Sequence, residues 1–252
     1  MQTIIPTTSQ ALKALMRADF AVQWKNRRSA IMVLLVPVFI LLAWKGLVSK
    51  LGGAFVLSNC ITIGLTAIGL MGYAVAIARD RDKGVFQRLR VSPVPKWTIM
   101  VSRLAVQLAM IILVTVVVFL AGYKFDGILL GMPNYALGLL SAIAGGAMYL
   151  GLGQAIVGLV KNSETVNSTV RLIYFVFIMV GMFGEFGARD SRTLEISKIV
   201  RWSPYGVVKN IVSSSLNPGS WDTHASLCLL VTIGYAIVFG AAGIKWFKWN
   251  TK

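Results

Sequence analysis

Six long, sparsely charged apolar runs dominate this chain of 252 residues: 30–48, 55–78, 101–122, 135–160, 171–187 and 225–247. A helix needs about 20 apolar residues to cross the hydrocarbon of a bilayer, within a range of about 17–25. Every run meets that length to within about two residues at its ends, and the longest, 135–160, is expected to tilt. Composition agrees, because only 13% of residues are charged and 56% are hydrophobic. A soluble domain carries about 25% charged residues, so this surface cannot face mainly water. The expected fold class is all-α: a polytopic membrane protein with six transmembrane helices over residues 30–252, multi-pass in the cell (inner) membrane.

Lysine and arginine number 25 against 9 acids, a net charge of +16. In a soluble chain that balance points to nucleic acid. Here the bases lie between apolar spans, where they anchor the protein to anionic membrane lipid and set its orientation, so no nucleic-acid partner is expected. With both termini in the cytoplasm, 17 bases fall inside and 8 outside, which is the arrangement the positive-inside bias selects. Residues 1–29 carry five bases but no apolar core followed by a small-residue cleavage site, so they do not read as a removable leader. They read as an amphipathic helix from Ser9 to Arg28, with Ser9 as the N-cap. Leu12, Leu15, Met16, Phe20 and Trp24 recur along it every three or four residues. Such a helix is expected to lie in the membrane interface.

Residue types that carry chemistry are scarce. Cys60 and Cys228 fall inside apolar runs, where a thiol is a small buried hydrophobe, and neither has metal-ligand company. The single histidine, His224, sits at a span boundary with no Ser/acid or Cys grouping that the sequence assembles around it, so an enzyme is disfavoured. No glycine-rich loop ending in Gly-Lys-Ser/Thr occurs, so this chain is not expected to bind ATP. The acids fall in loops or at span ends, with Glu185 near the outer end of the fifth run, which argues against ion-coupled transport. The deep polar residues are neutral. Asn59, Gln107 and Gln154, together with Glu185, are candidates to line a translocation path; bonding neighbouring helices is the alternative. Small residues four apart, Ala142/Gly146, Ala147/Gly151 and Gly72/Ala76, allow close helix contact within one bundle or at a seam between two subunits.

Two connections are more specific. Over 79–100 the chain reads RDRDKGVFQRLRVSPVPKW from Arg79, with alternating charges and a break at Gly84. A short helix with Phe86 and Leu89 on one side follows, and the Pro93/Pro95 turn launches the third span. Over 188–224, Ile196, Ile199, Val200 and Trp202 precede Ser203-Pro204-Tyr205, and Val207, Val208, Ile211 and Val212 follow. These are two amphipathic pieces too short to span. The ordered set resembles the type 2 ABC exporter permeases. Their coupling segment has the same charged beginning, glycine, "RL", "SP" and basic-aromatic ending, and their short extracellular helices re-enter the outer leaflet around a proline. The N-terminal ADFAVQWKNRRS and the following run with Pro37 are similar to that family's interface helix and first span. One departure is that the family usually begins the coupling segment with glutamates, whereas the acids here are Asp80 and Asp82.

The resemblance implies the permease subunit of an ATP-driven exporter. ATP and Mg would be held by a separate ABC ATPase subunit, with no cofactor in this chain, and a second permease subunit, identical or not, would complete the pair. It implies ATPase coupling through Asp80, Asp82, Gly84, Phe86, Arg88 and Leu89. Phe86 and Leu89 are expected to enter a groove on the ATPase, with Arg88 and Arg90 at its rim. It implies an extracellular gate at Val200, Trp202, Pro204 and Tyr205, with Arg201 and Lys209 near lipid phosphates. The weakly charged path suggests an amphiphilic or hydrophobic cargo: a drug, antibiotic, lipid or lipid-linked glycan. An ATP-independent secondary transporter or channel and a non-transporting scaffold are the rival readings.

Overall fold

The computed structural model describes residues 7–25, 27–90, 95–186, 198–217, 219 and 221–247. The described secondary structure is helical, with no strand among those residues. In chain order the helices are α1 (Thr8–Lys25), α2 (Arg27–Ala43), α3 (Lys45–Leu51), α4 (Gly53–Asp82) and α5 (Val85–Arg90). They continue with α6 (Lys96–Asp126), α7 (Met132–Leu159), α8 (Ser163–Phe186), α9 (Pro204–Leu216) and α10 (Thr223–Trp246). A helical turn at 198–202 precedes α9.

Five helices are long and apolar enough to cross a membrane: α4, α6, α7, α8 and α10. The sixth span is a broken one. Val33–Ala43 and Lys45–Leu51 reach the required length only together, and they meet at a bend of 64°. A straight helix over 30–48 was the simpler expectation. Instead α2 tightens at its end, where the Trp44 N–H is shared between the carbonyls of Ile40 (2.9 Å) and Leu41 (3.1 Å). Lys45 and Lys50 then sit exposed on α3. The chain is a multi-pass membrane protein of all-α class.

The caps follow the local sequence. The α1 cap is Thr7 rather than Ser9: Gln10 N–H donates to Thr7 Oγ1 at 3.4 Å, and Thr7 N–H donates to Gln10 Oε1 at 3.1 Å. This reciprocal capping box places the cap two residues earlier than expected. Ser203 Oγ accepts from Gly206 N–H at 3.1 Å to open α9, and Asp222 Oδ1 accepts from Ala225 N–H at 2.8 Å to open α10. Along α1, Leu15 packs toward the core, while Phe20 and Trp24 stay exposed.

The axis of the bundle is α4. Within its most apolar stretch 83% is buried inside the chain, against 50% for α6 and α7 and 17% for α8 and α10. Its middle, Ala67–Ala74, is π-helical, the wider turn that often marks a functional position. There α4 crosses α7 at near backbone contact. A Cβ on Gly69 would lie 2.6 Å from the Tyr149 carbonyl, and a Cβ on Gly153 would collide with the Gly69 carbonyl oxygen. The crossing therefore falls at Gly69, not at the Gly72/Ala76 pair, since a Cβ on Gly72 would meet only the Ala67 carbonyl and Gln107 Oε1, both at 3.8 Å. In α7, Gly146 abuts Ile111 and Gly151 abuts the α10 backbone, so these small residues serve contacts within the chain.

Candidate functional site

At 1.5 Å per residue α4 is about 45 Å long, and each of its ends gathers one cluster of polar groups. At the Asp82 end three consecutive side chains reach three different places. Arg81 is only 3% exposed. Its Nη1 donates to the Val157 carbonyl at 2.7 Å, and its Nη2 to those of Val160 and Lys161 at 2.9 and 2.6 Å. These carbonyls close the C-terminal end of α7, lack partners within that helix and lie at the negative pole of its dipole. A guanidinium satisfies both needs. Asp82 Oδ2 accepts from the Ser163 N–H at 3.1 Å, beside the Asn162 cap of the same helix, α8. Asp80 Oδ2 pairs with Arg103 Nη1 at 2.5 Å, and Arg103 Nε pairs with Asp19 Oδ1 at 3.2 Å. Ser102 Oγ donates to Asp19 Oδ2 at 2.5 Å. The triplet Asp80–Arg81–Asp82 thus joins α4 to α1, α6, α7 and α8.

Gly84, with φ of +69°, closes α4 in the left-handed region that a side chain would strain. Its N–H returns to the Arg81 carbonyl at 3.0 Å, and α5 begins at the next residue. Phe86 then turns inward. It is fully buried, edge-on to Phe247 at 5.5 Å between centroids, with the Arg103 guanidinium 5.9 Å from its ring centre. Leu89 also packs on the core. Both were expected to enter a groove on a partner; in this arrangement their apolar stripe faces the bundle. The outward surface of the segment is basic, with Arg79, Lys83 and Arg88 exposed. The side chain of Arg90 and residues 91–94, including Pro93, lie outside the described residues.

At the Gly53 end the four expected gate residues come together. Pro204 is the first residue of α9, at the bend after the 198–202 turn. Tyr205, 1% exposed, donates its hydroxyl to Asn59 Oδ1 at 3.2 Å, and the Tyr149 hydroxyl donates to the Pro204 carbonyl at 3.3 Å. Trp202 lies 5.1 Å from the His224 ring. Val200 and Tyr205 border a cavity of about 440 Å³. Val207, Val208, Ile211 and Val212 are fully buried, so α9 is packed into the bundle. Lys209, expected near lipid phosphates, is instead 7% exposed, with Nζ 4.2 Å from the Phe55 ring centre. Burial pulls its ammonium down to about 7.

The deep amides bond helices together. Asn59 Nδ2 donates to the Phe55 carbonyl at 3.0 Å and its Oδ1 takes the Tyr205 hydroxyl, while Gln154 Oε1 accepts from the Tyr73 hydroxyl at 2.8 Å. Gln107 is 7% exposed, beside Gly72. The Glu185 side chain and residues 187–197 lie outside the described residues.

Two groupings escaped the sequence reading. Asp19 and Arg103 complete the Asp80 network, and the available signal was that Asp19 is the only acid among the five bases of residues 1–29. His224 gains neighbours that the sequence did not assemble. Asn210 Nδ2 lies 2.7 Å from its Nδ1, and Cys228 Sγ lies 3.5 Å from the same atom. The i, i+4 spacing of His224 and Cys228 on one helix was legible; Asn210 comes from another.

Comparison with known proteins adds one match. The family model described as ABC-2 family transporter protein matches residues 49–245, from the end of α3 to within α10. No curated protein compared with the chain matches it.

Proposed function

The chain belongs to the ABC-2 family transporter proteins, and from that premise we propose that it is the permease subunit of an ATP-driven exporter served by a separate ABC ATPase subunit. Permeases of this family are membrane transport subunits, generally without an ATPase of their own. The observation that carries the reading is the Asp80–Arg81–Asp82 triplet with α5 beside it. A push on α5 reaches α1, α6, α7 and α8 through ion pairs and helix-end hydrogen bonds, and reaches the far end of the bundle through α4. ATP binding on the partner biases this two-state element, and its opposite end opens. The 17 to 8 distribution of bases supports a cytoplasmic triplet and an outer Tyr205 end, and the resemblance of both connections to exporter permeases supports export as the direction. An amphiphilic cargo and a second permease subunit complete the proposal.

The contact with the ATPase is redistributed relative to the sequence expectation. Arg79, Lys83 and Arg88 form a basic docking face for acidic groups on the partner, while Phe86 seats α5 against Phe247 so that the push is transmitted. The test is ATPase retention and ATP-dependent transport in membranes. Arg88→Glu is expected to weaken retention about tenfold, equivalent to about 1.4 kcal/mol. Phe86→Ala is expected to keep much of the ATPase but lose most transport. Wild-type retention and transport in both variants would overturn the assignment.

A further inference from the structure

Asp126 is the last residue of α6, at the Gly53 end of the bundle, and its electrostatic surroundings there are poor. Both carboxylate oxygens are closed to solvent and accept no hydrogen bond, although the residue as a whole is partly exposed. A covered carboxylate without a partner is costly. The last turn of a helix adds the negative pole of its dipole, which repels an anion. The charge that acts on this carboxylate is that of Lys45, the first residue of α3. Lys45 is exposed, and no ion pair among the described residues includes either group. Lys124, two residues before Asp126, projects from a different face of α6.

The neighbouring element that is held least is α3. It touches α6, yet none of its seven residues is buried. Each of its ends carries a pivot. Before it lies the bend of 64°, followed at once by Gly46. Behind it lies Gly52 with φ of +85°, a conformation that side chains rarely adopt. A Cβ on Gly46 or Gly52 would meet nothing within 4 Å, so packing locks neither end. Beyond the second pivot the chain is fixed, because the Ile128 side chain is seated against Gly53.

We propose that α3 is a hinged arm with two positions, and that the second is latched by an ion pair between the Lys45 ammonium and the Asp126 carboxylate. Turning about Trp44 and Gly52 shifts the groups over the carboxylate and brings the ammonium to it. A charge left unpaired in one position is then paired in the other. A few residues at the ends of an element are enough to absorb such a motion. The inference goes beyond the exporter reading, since it concerns this chain alone. It is tested without an ATPase, so its failure leaves the coupling account standing, and the reverse also holds.

The full chain in phosphatidylcholine nanodiscs is spin-labelled at Ser49→Cys, on the arm, and at Leu230→Cys, a fixed reference on α10. Both positions are exposed, whereas the native Cys60 and Cys228 are buried and escape the label. Pulsed electron–electron double resonance is expected to give two distances between the labels. Asp126→Asn removes the charge and keeps the shape of the side chain. It is expected to lower the share of the second distance about threefold, the effect of losing one ion pair near the surface. Lys45→Gln is expected to lower it to the same extent. A single distance with Lys45 and Asp126 both in place would overturn the proposal. So would a second distance that persists in Asp126→Asn, or one that responds to only one of the two substitutions.

Discussion

Arg81 is buried with its charge, and three carbonyls at the end of α7 make that position tolerable. Charge-assisted hydrogen bonds contribute about 1.5–3 kcal/mol each. Arg81→Gln shortens the side chain and removes the charge, so a loss of roughly 3 kcal/mol is expected. Arg88→Gln, on an exposed site, should stay within about 0.5 kcal/mol. Unfolding in micelles compares the two; equal stability would show that Arg81 is not the clasp between α4 and α7. The sequence could not separate these arginines. Arg79, Arg81 and Arg88 are chemically identical in a charged run, and only helical phase and the neighbouring helix end distinguish them. Phe86 shows the complementary limit. Its place on an apolar stripe was legible, but periodicity does not tell whether a short helix turns that stripe to a partner or to its own bundle, and Phe247 lies 161 positions away.

Among the elements, the spans were the most legible because their length is set by the bilayer and not by tertiary contacts. The break between α2 and α3 was not. It falls at Trp44, whose N–H is shared between two carbonyls, and its only marker in the apolar run is the Lys45-Gly46 pair that follows. The π-helical turn in α4 is a second hidden feature, coupled to the crossing with α7. Gly153→Val places methyl groups against the Gly69 carbonyl, and overpacking of this kind costs about 1–3 kcal/mol. Gly72→Ala, three residues along from that crossing and meeting its nearest neighbours only at 3.8 Å, should be neutral or stabilising by up to about 1 kcal/mol. Thermal unfolding of the two variants in micelles checks the ranking. The opposite order would move the crossing to the Gly72/Ala76 pair. Of the two short amphipathic pieces expected over 188–224, the second forms as α9, which buries Val207, Val208, Ile211 and Val212 inside the bundle. A hydrophobic stripe facing lipid and one facing a helix read alike.

The whole molecule is organised by one long helix with a polar cluster at either end, and the family match spans both. A basic, clasped end suits a soluble partner that pushes. A short arm with a pivot at each end suits an exit that opens. Overall class and the order of the spans could be read from the sequence because hydropathy encodes them. The partners of Arg81, Arg103 and His224 could not, because they are contacts between helices far apart in the chain. The central claim is that the ATPase meets the chain at α5, and site-specific photocrosslinking in native membranes tests it most directly. A photoreactive residue in place of Arg88, exposed beside the triplet, should capture a protein bearing the Gly-rich phosphate loop that this chain lacks. The same residue in place of Lys50, exposed on α3 at the far end, should not. Capture from Lys50 with none from Arg88 would contradict the account.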